Sequence, residues 1–207
     1  MKISNCFLQY PKSDFKLEIP DLTLQENKIN CLLGDNGCGK STLLKQIMTD
    51  ACQHNIPSKM MLLQRPYIYT GTVADNLKRV RKLCPSSTVE EEKLIEDLDL
   101  GGLLTRRARS LSGGQRQRLA FALVMMSDCD LIILDEPFNN IDIKSQQLMI
   151  KVIKAYPKTY LLVSHKMHLS QKIGDYFILM DEGKVIATGE KELFEENEKL
   201  RLLMEME

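Results

Sequence analysis

Ile29-Asn30-Cys31-Leu32-Leu33-Gly34-Asp35-Asn36-Gly37-Cys38-Gly39-Lys40-Ser41-Thr42 decides the fold. Its first five residues are a short, mostly apolar run closed by glycine, the pattern of a strand feeding a turn. Ser41–Met48 then carries Leu43, Leu44, Ile47 and Met48 at helical spacing. Between strand and helix, Gly34, Gly39, Lys40 and Ser41 fill every fixed position of G-x-x-x-x-G-K-[ST]. Glycines let backbone N–H groups turn inward around phosphate oxygens, where a Cβ would obstruct them, and the following helix adds its positive end. Lys40 is then expected to reach the β- and γ-phosphates of a nucleotide and the Ser41 hydroxyl to ligate Mg²⁺, with Thr42 as a further donor. Asp35, Asn36, Gly37 and Cys38 complete the loop, Cys38 as a small filler beside the phosphates.

Outward from this loop, short apolar runs alternate with helical ones, the mark of an α/β protein. Phe15–Ile19 alternates as a half-exposed strand, and Leu131–Leu134 and Tyr160–Val163 read as buried strands of a parallel sheet. Tyr176–Met180 and Lys184–Ala187 flank Asp181-Glu182-Gly183, a hairpin signal. The charged, helix-prone middle reads as a helical insert, starting near residue 70, in which Thr88-x-x-Glu91 would cap a helix through Leu98. The tail from Glu190 reads as a short charged helix.

The 207 residues carry 28 Lys+Arg against 28 Asp+Glu, so the formal net charge is zero. That balance argues against a protein whose main task is holding nucleic acid. An apolar fraction of 43% excludes a wholly disordered chain. The longest apolar run, Leu119–Met126, is far short of the ~20 residues a bilayer helix needs. The N-terminus lacks a secretory h-region, so the chain is expected to stay in the cytosol. Six cysteines without a CxxC pair suit neither a zinc site nor a disulfide framework, and reduced thiols are expected.

Two further segments carry chemistry. Leu131-Ile132-Ile133-Leu134-Asp135-Glu136-Pro137 is an apolar strand delivering two carboxylates at the edge of the sheet where ligands bind. Neighbouring residues at a strand end point in different directions, so Asp135 is expected to hold Mg²⁺ and Glu136 to polarise an attacking water. In Leu111-Ser112-Gly113-Gly114-Gln115, Ser112 caps a helix and two glycines leave its first N–H groups bare, a second anion site. One chain with two anion sites on separate subdomains needs a second copy to unite them.

With these motifs in this order, the chain resembles the ATP-binding subunit of an ABC transporter along nearly its whole length. The resemblance implies an α/β phosphate-loop NTPase core with a mixed sheet and a small antiparallel β-subdomain. It also implies one domain over 1–207, with a helical subdomain at about 70–127. It assigns Gln64, 24 residues after Lys40, to the loop that ligates Mg²⁺ and senses the membrane partner. Asn139-Asn140-Ile141-Asp142 matches the D-loop, with Asp142 among the nucleotide-binding residues, and His165 matches the histidine that contacts the γ-phosphate. Tyr10 resembles the aromatic that stacks on adenine, although Phe7 and Phe15 are near and a strand aromatic is often core. Arg106, Arg107, Arg109, Arg116 and Arg118 read as a solvated face, or as a contact with the partner subunit. Two departures stand out. The stretch Gln46–Lys59 is shorter than in relatives, which implies a trimmed β-subdomain, and Phe138 stands where Thr or Ser is commoner.

By resemblance, two subunits bind head to tail, each ATP lying between Lys40 of one and Ser112–Gln115 of the other. Glu136, His165 and Lys40 would carry catalysis with ATP and Mg²⁺. The implied partners are a second ABC subunit (a homodimer), an integral membrane permease and a substrate-binding protein, with no nucleic acid. The implied place is the cytoplasm, peripheral on the inner face of the cell membrane. The segment from Gln64 to Leu77 looks like that of stand-alone importers, with export as the alternative. A soluble ABC-type ATPase of ribosomes or DNA is the rival. Ribosomal types usually carry two nucleotide domains, and no long coiled coil fits between Lys40 and Ser112. A module that only binds ATP fits poorly with the presence of Glu136 and His165.

Overall fold

The computed structural model describes residues 1–11 and 14–205. β1 (Lys2–Gln9) and β2 (Lys16–Thr23) pair antiparallel, with Cys6 opposite Ile19 and Leu8 opposite Leu17. β3 (Ile29–Leu33) is buried throughout and feeds α1 (Lys40–Met48) through the phosphate loop. The two-residue β4 (Gln53–His54) adds to the free side of β1, and β5 (Lys59–Leu62) follows. Then come α2 (Val73–Leu83), α3 (Glu91–Asp97) and α4 (Gly113–Met126), with two short 3₁₀ turns before α4. The core resumes with β6 (Leu131–Asp135), α5 (Ile143–Ala155), β7 (Thr159–Val163) and α6 (Met167–Ile173). β8 (Tyr176–Asp181) and β9 (Lys184–Gly189) form a hairpin, and α7 (Leu193–Glu196) and α8 (Glu198–Glu205) complete the described chain.

Among the described residues the strands form two sheets, a three-stranded β2-β1-β4 and a six-stranded β5-β6-β7-β3-β8-β9. In the large sheet every pairing is parallel except β8 with β9. The continuous apolar runs reflect burial on both faces, and the pleat sorts them. Leu131, Ile133, Leu161, Val163, Ile178 and Met180 face α1 and the antiparallel sheet. Ile132, Leu134, Tyr160, Leu162, Phe177 and Leu179 face the other way, into the core built on α4 and α5. α4 lies inside that core, with Leu119, Phe121, Ala122 and Met125 fully buried. Among the described residues no helix is long and apolar enough to cross a membrane.

Several expectations change. α3 is not capped by Thr88, whose N–H and hydroxyl both donate to Asp128, each at 2.8 Å. The capping box forms instead at Thr72 and Asp75, at the start of α2. Arg118 does not belong to the solvated arginine face. It is buried, donating to the carbonyls of Leu98 at 2.6 Å and Asp99 at 3.1 Å, and so ties α4 to the end of α3. Arg106, Arg107, Arg109 and Arg116 are exposed. The six thiols are not all free: Cys6 on β1 and Cys52 just before β4 are joined, Cα–Cα 4.7 Å, and both are buried. Their 46-residue separation gives no hint of this, because the pairing of β4 with β1 creates the neighbourhood. The tail forms two short helices in place of one.

Candidate nucleotide site

Four adjacent parallel strands each end in a segment of the site. In sheet order, Gln64 follows β5, Asp135 and Glu136 end β6, His165 follows β7, and the phosphate loop follows β3. Register keeps these ends level, with Leu62 opposite Leu134, Asp135 opposite Val163, and Leu32 opposite Val163. Ligands of parallel sheets bind at this carboxyl edge. A cavity of about 220 Å³ there is lined by Asn36, Gly37, Gly39, Lys40, Ser41, Thr42, Gln64, Asp135, Glu136, Val163 and His165.

The loop itself needs its glycines. At Gly34, φ 140°, a Cβ would run into the Met180 carbonyl oxygen and lie 2.9 Å from Cys38 Sγ. Gly39 starts α1 at φ 111°, a region most side chains avoid. Lys40 is buried and donates to the carbonyls of Gly34 at 2.7 Å and Asp35 at 2.8 Å. Its ammonium is thus held at the centre of the loop. Cys38 is the buried filler expected of it, and the Gly183 N–H of the β8–β9 turn donates to its carbonyl at 2.8 Å. A brace that sequence reasoning missed comes from α8: Lys199 Nζ lies 2.6 Å from Asp181 Oδ1 and 3.3 Å from Asp35 Oδ2. No periodicity in a short charged tail announces such a contact.

The two carboxylates differ in setting. Asp135 is half-buried at the strand end, while Glu136 is buried and adopts φ 49°, the left-handed region. That conformation costs a non-glycine residue of order 1–3 kcal/mol, so the surroundings must hold it. His165 Nε2 lies 3.2 Å from Glu136 Oε1, but neither carboxylate oxygen of Glu136 receives an aligned hydrogen bond. Burial pushes both carboxyls above the usual carboxylate range, against the opposing pull of Lys40 and His165. A buried carboxylate with no aligned hydrogen bond among the described residues, beside a histidine, suits an acceptor for a proton from water. Ser41, Gln64 and Asp135 bring hydroxyl, amide and carboxylate groups to the same cavity, and such oxygen donors fit Mg²⁺.

Ser112–Gln115 and Asp142 do not line this cavity. Ser112 caps α4 in a reciprocal box, Gln115 N–H donating to Ser112 Oγ at 3.3 Å and Ser112 N–H to Gln115 Oε1 at 3.1 Å. Gly113 is open, with only the Asn140 carbonyl oxygen at 3.7 Å from a would-be Cβ. Gly114 serves packing: a Cβ there would run into Asp142 Oδ2 and lie 2.6 Å from Ser145 Oγ. Asp142 itself caps α5, accepting from Ser145 N–H and Oγ at 2.8 Å each, and these donors lower its pKa. Tyr10, just past β1, is exposed and does not line the cavity. The aromatic that touches the loop is Phe15, whose ring would sit 2.8 Å from a Cβ on Gly39.

A family model described as ABC transporter matches residues 17–139. The phosphate import ATP-binding protein PstB of Campylobacter jejuni subsp. jejuni is 29% identical, over 96% of this chain and 94% of its own length. The lactococcin-A transport/processing ATP-binding protein LcnC of Lactococcus lactis subsp. lactis is 27% identical over 91% of this chain. This chain spans only 30% of LcnC, and 27% of an LcnC-like protein from the same species. Among solved structures, an ATP-binding subunit of an ABC transporter superposes with TM-score 0.82 at 20% identity, over 97% of this chain and 93% of that one. A bacterial Atm1-family ABC exporter with ATP bound gives 0.83 at 15% identity, over 99% and 41%. The shared fold, the phosphate loop at its carboxyl edge and the family match lead to one assignment: the chain belongs to the ABC transporter family.

Proposed function

We propose that the chain binds and hydrolyses ATP and drives a membrane permease. The observation that carries this reading is one cavity lined by the phosphate loop, Gln64, Asp135, Glu136 and His165. Lys40 and the loop residues Gly34 to Thr42 hold the phosphates, and Ser41, Gln64 and Asp135 hold Mg²⁺. When bound, that ion neutralises charge on the phosphates. Glu136 accepts the proton of the attacking water, and His165 stabilises the transferring phosphoryl group. Tyr10 stacks on adenine, with Phe15 the nearer aromatic to the loop.

Ser112–Gln115 of a second copy, arranged head to tail, complete each site, with Asp142 carried beside them. The open N-terminus of α4 at Gly113, outside the cavity of its own chain, supports this arrangement. A groove lined by Leu62, Leu63, Tyr67, Val80, Leu83 and Val124, partly exposed, is the surface offered to the permease. Uptake is favoured because PstB, matched along nearly its whole length, is named an import protein. Export is the second reading, favoured by the likeness to lactococcin transport proteins.

The test is turnover of Mg²⁺-ATP by the wild type and by Glu136→Gln. The variant is expected to bind ATP and to lose hydrolysis by at least about a hundredfold, the lower end of the usual general-base contribution. Wild-type turnover in Glu136→Gln would remove Glu136 from its role.

A further inference from the structure

We infer that Lys166 and Gln117 are positioning residues that hold Glu136 in its working orientation. The inference rests on the reading of Glu136 as the general base. Glu136 sits at φ 49°, buried, so its side-chain direction depends on how the backbone after it is fixed. That backbone is gripped at three consecutive carbonyls. Asn139 N–H donates to the Glu136 carbonyl at 3.2 Å, closing the turn from within. Gln117 Nε2, from α4, donates to the Pro137 carbonyl at 3.2 Å. Lys166 Nζ, from the residue after His165, donates to the Phe138 carbonyl at 3.0 Å. On the other side, the Glu136 N–H donates to the Val163 carbonyl of β7 at 2.9 Å, so the residue is fixed before and after.

Lys166 does more than close one hydrogen bond. Its ammonium also donates to Gln146 Oε1 on α5 at 3.1 Å, and so joins the His165 loop, the turn after Glu136 and the helix capped by Asp142. A half-buried cation given over to neutral acceptors is an expensive way to stabilise a turn. Phe138, fully buried, anchors the same turn from the core side. Without Lys166 the Phe138 carbonyl loses this donor, and the turn can relax toward ordinary φ. The Glu136 carboxylate then swings away from His165, with no change at Lys40 or the phosphate loop.

The test is Lys166→Met and Lys166→Arg, assayed as the assembled protein with Mg²⁺-ATP and examined by crystallography. Lys166→Met is expected to lower kcat about tenfold or more while leaving KM and ATP affinity near wild type, since displacement of a catalytic group by about 1 Å can cost about a hundredfold. Lys166→Arg, which can reach both acceptors, is expected to restore most of kcat. In the Lys166→Met crystal, Glu136 should leave the left-handed region and its carboxylate should separate from His165. A merely structural brace would lower thermal stability and leave kcat intact. The inference is overturned if Lys166→Met keeps both wild-type kcat and the Glu136 geometry while Glu136→Gln is dead. Turnover by Glu136→Gln equal to wild type would instead overturn the underlying reading, and this inference with it. Should Lys166→Met lose its fold, Gln117→Leu releases the same turn from the α4 side and is judged by the same readouts.

Discussion

The two neighbouring glycines of the α4 N-terminus should respond differently to alanine. At Gly114 a new Cβ meets Asp142 Oδ2 and, at 2.6 Å, Ser145 Oγ, so either α4 shifts or the α5 cap breaks. Overpacking of this kind costs about 1–3 kcal/mol, and a lost cap about 1 kcal/mol more. Alanine's better helix propensity offsets about 0.5–1 kcal/mol. The net loss is roughly 1–3.5 kcal/mol, a fall in Tm of roughly 2–14 °C for a domain of this size. At Gly113 the nearest atom is 3.7 Å away, so alanine there should leave Tm within about 2 °C of wild type. Calorimetry of both variants, and of Gly114→Ala in an Asp142→Ala background, checks the reasoning. Removing Asp142 should relieve the clash and produce a coupling of about 1 kcal/mol or more. Equal effects at the two glycines, or no coupling, would refute the packing role of Gly114.

Three more predictions follow from single contacts. Burial raises the Asp128 pKa, but the Lys158 ammonium and the Thr88 donors outweigh it and the net shift is downward. Its stabilisation is therefore present above the unfolded-state pKa and fades as the pH falls through the folded one. Asp128→Asn, which tolerates the same φ of 54°, should cost about 1–2 kcal/mol at neutral pH, with the gap closing under acid in denaturant titrations. A constant gap at all pH would contradict this. Thiol titration of the unfolded, unreduced protein should count four reactive cysteines, Cys31, Cys38, Cys84 and Cys129, and a count of six would show Cys6 and Cys52 apart. Lys199→Met should weaken ATP binding by no more than about fivefold in calorimetry, because a partly exposed ion pair contributes about 0–1 kcal/mol. A larger loss would mean that Lys199 does more than brace Asp35.

The core strands were legible because burial on both faces writes itself as an uninterrupted apolar run, and Ile29–Leu33 matches β3 at both ends. β5 escaped notice because Met60, Met61 and Leu62 are helix formers without a β-branched residue, and only pairing with β6 makes them a strand. Glu182-Gly183 announced its turn through residues that accept positive φ, observed at 43° and 80°. The motifs gathered at the carboxyl edge of the sheet stand out in the sequence because each is local: a loop or a strand end. What stayed hidden was relational. The Gly114 contact with Asp142, the Arg118 anchor on Leu98 and Asp99, and the Lys166 grip on Phe138 all join segments about 20 or more residues apart through side chains with no periodic signal.

In the proposed head-to-tail dimer two copies share each nucleotide, Lys40 from one and Ser112–Gln115 from the other. Sedimentation of the Glu136→Gln protein with and without Mg²⁺-ATP tests it most directly. A nucleotide-dependent shift from the 23.7 kDa chain to twice that mass is expected, abolished when Ser112→Arg is added. A species that stays at the mass of one chain while binding ATP, or a dimer indifferent to Ser112→Arg, would contradict it.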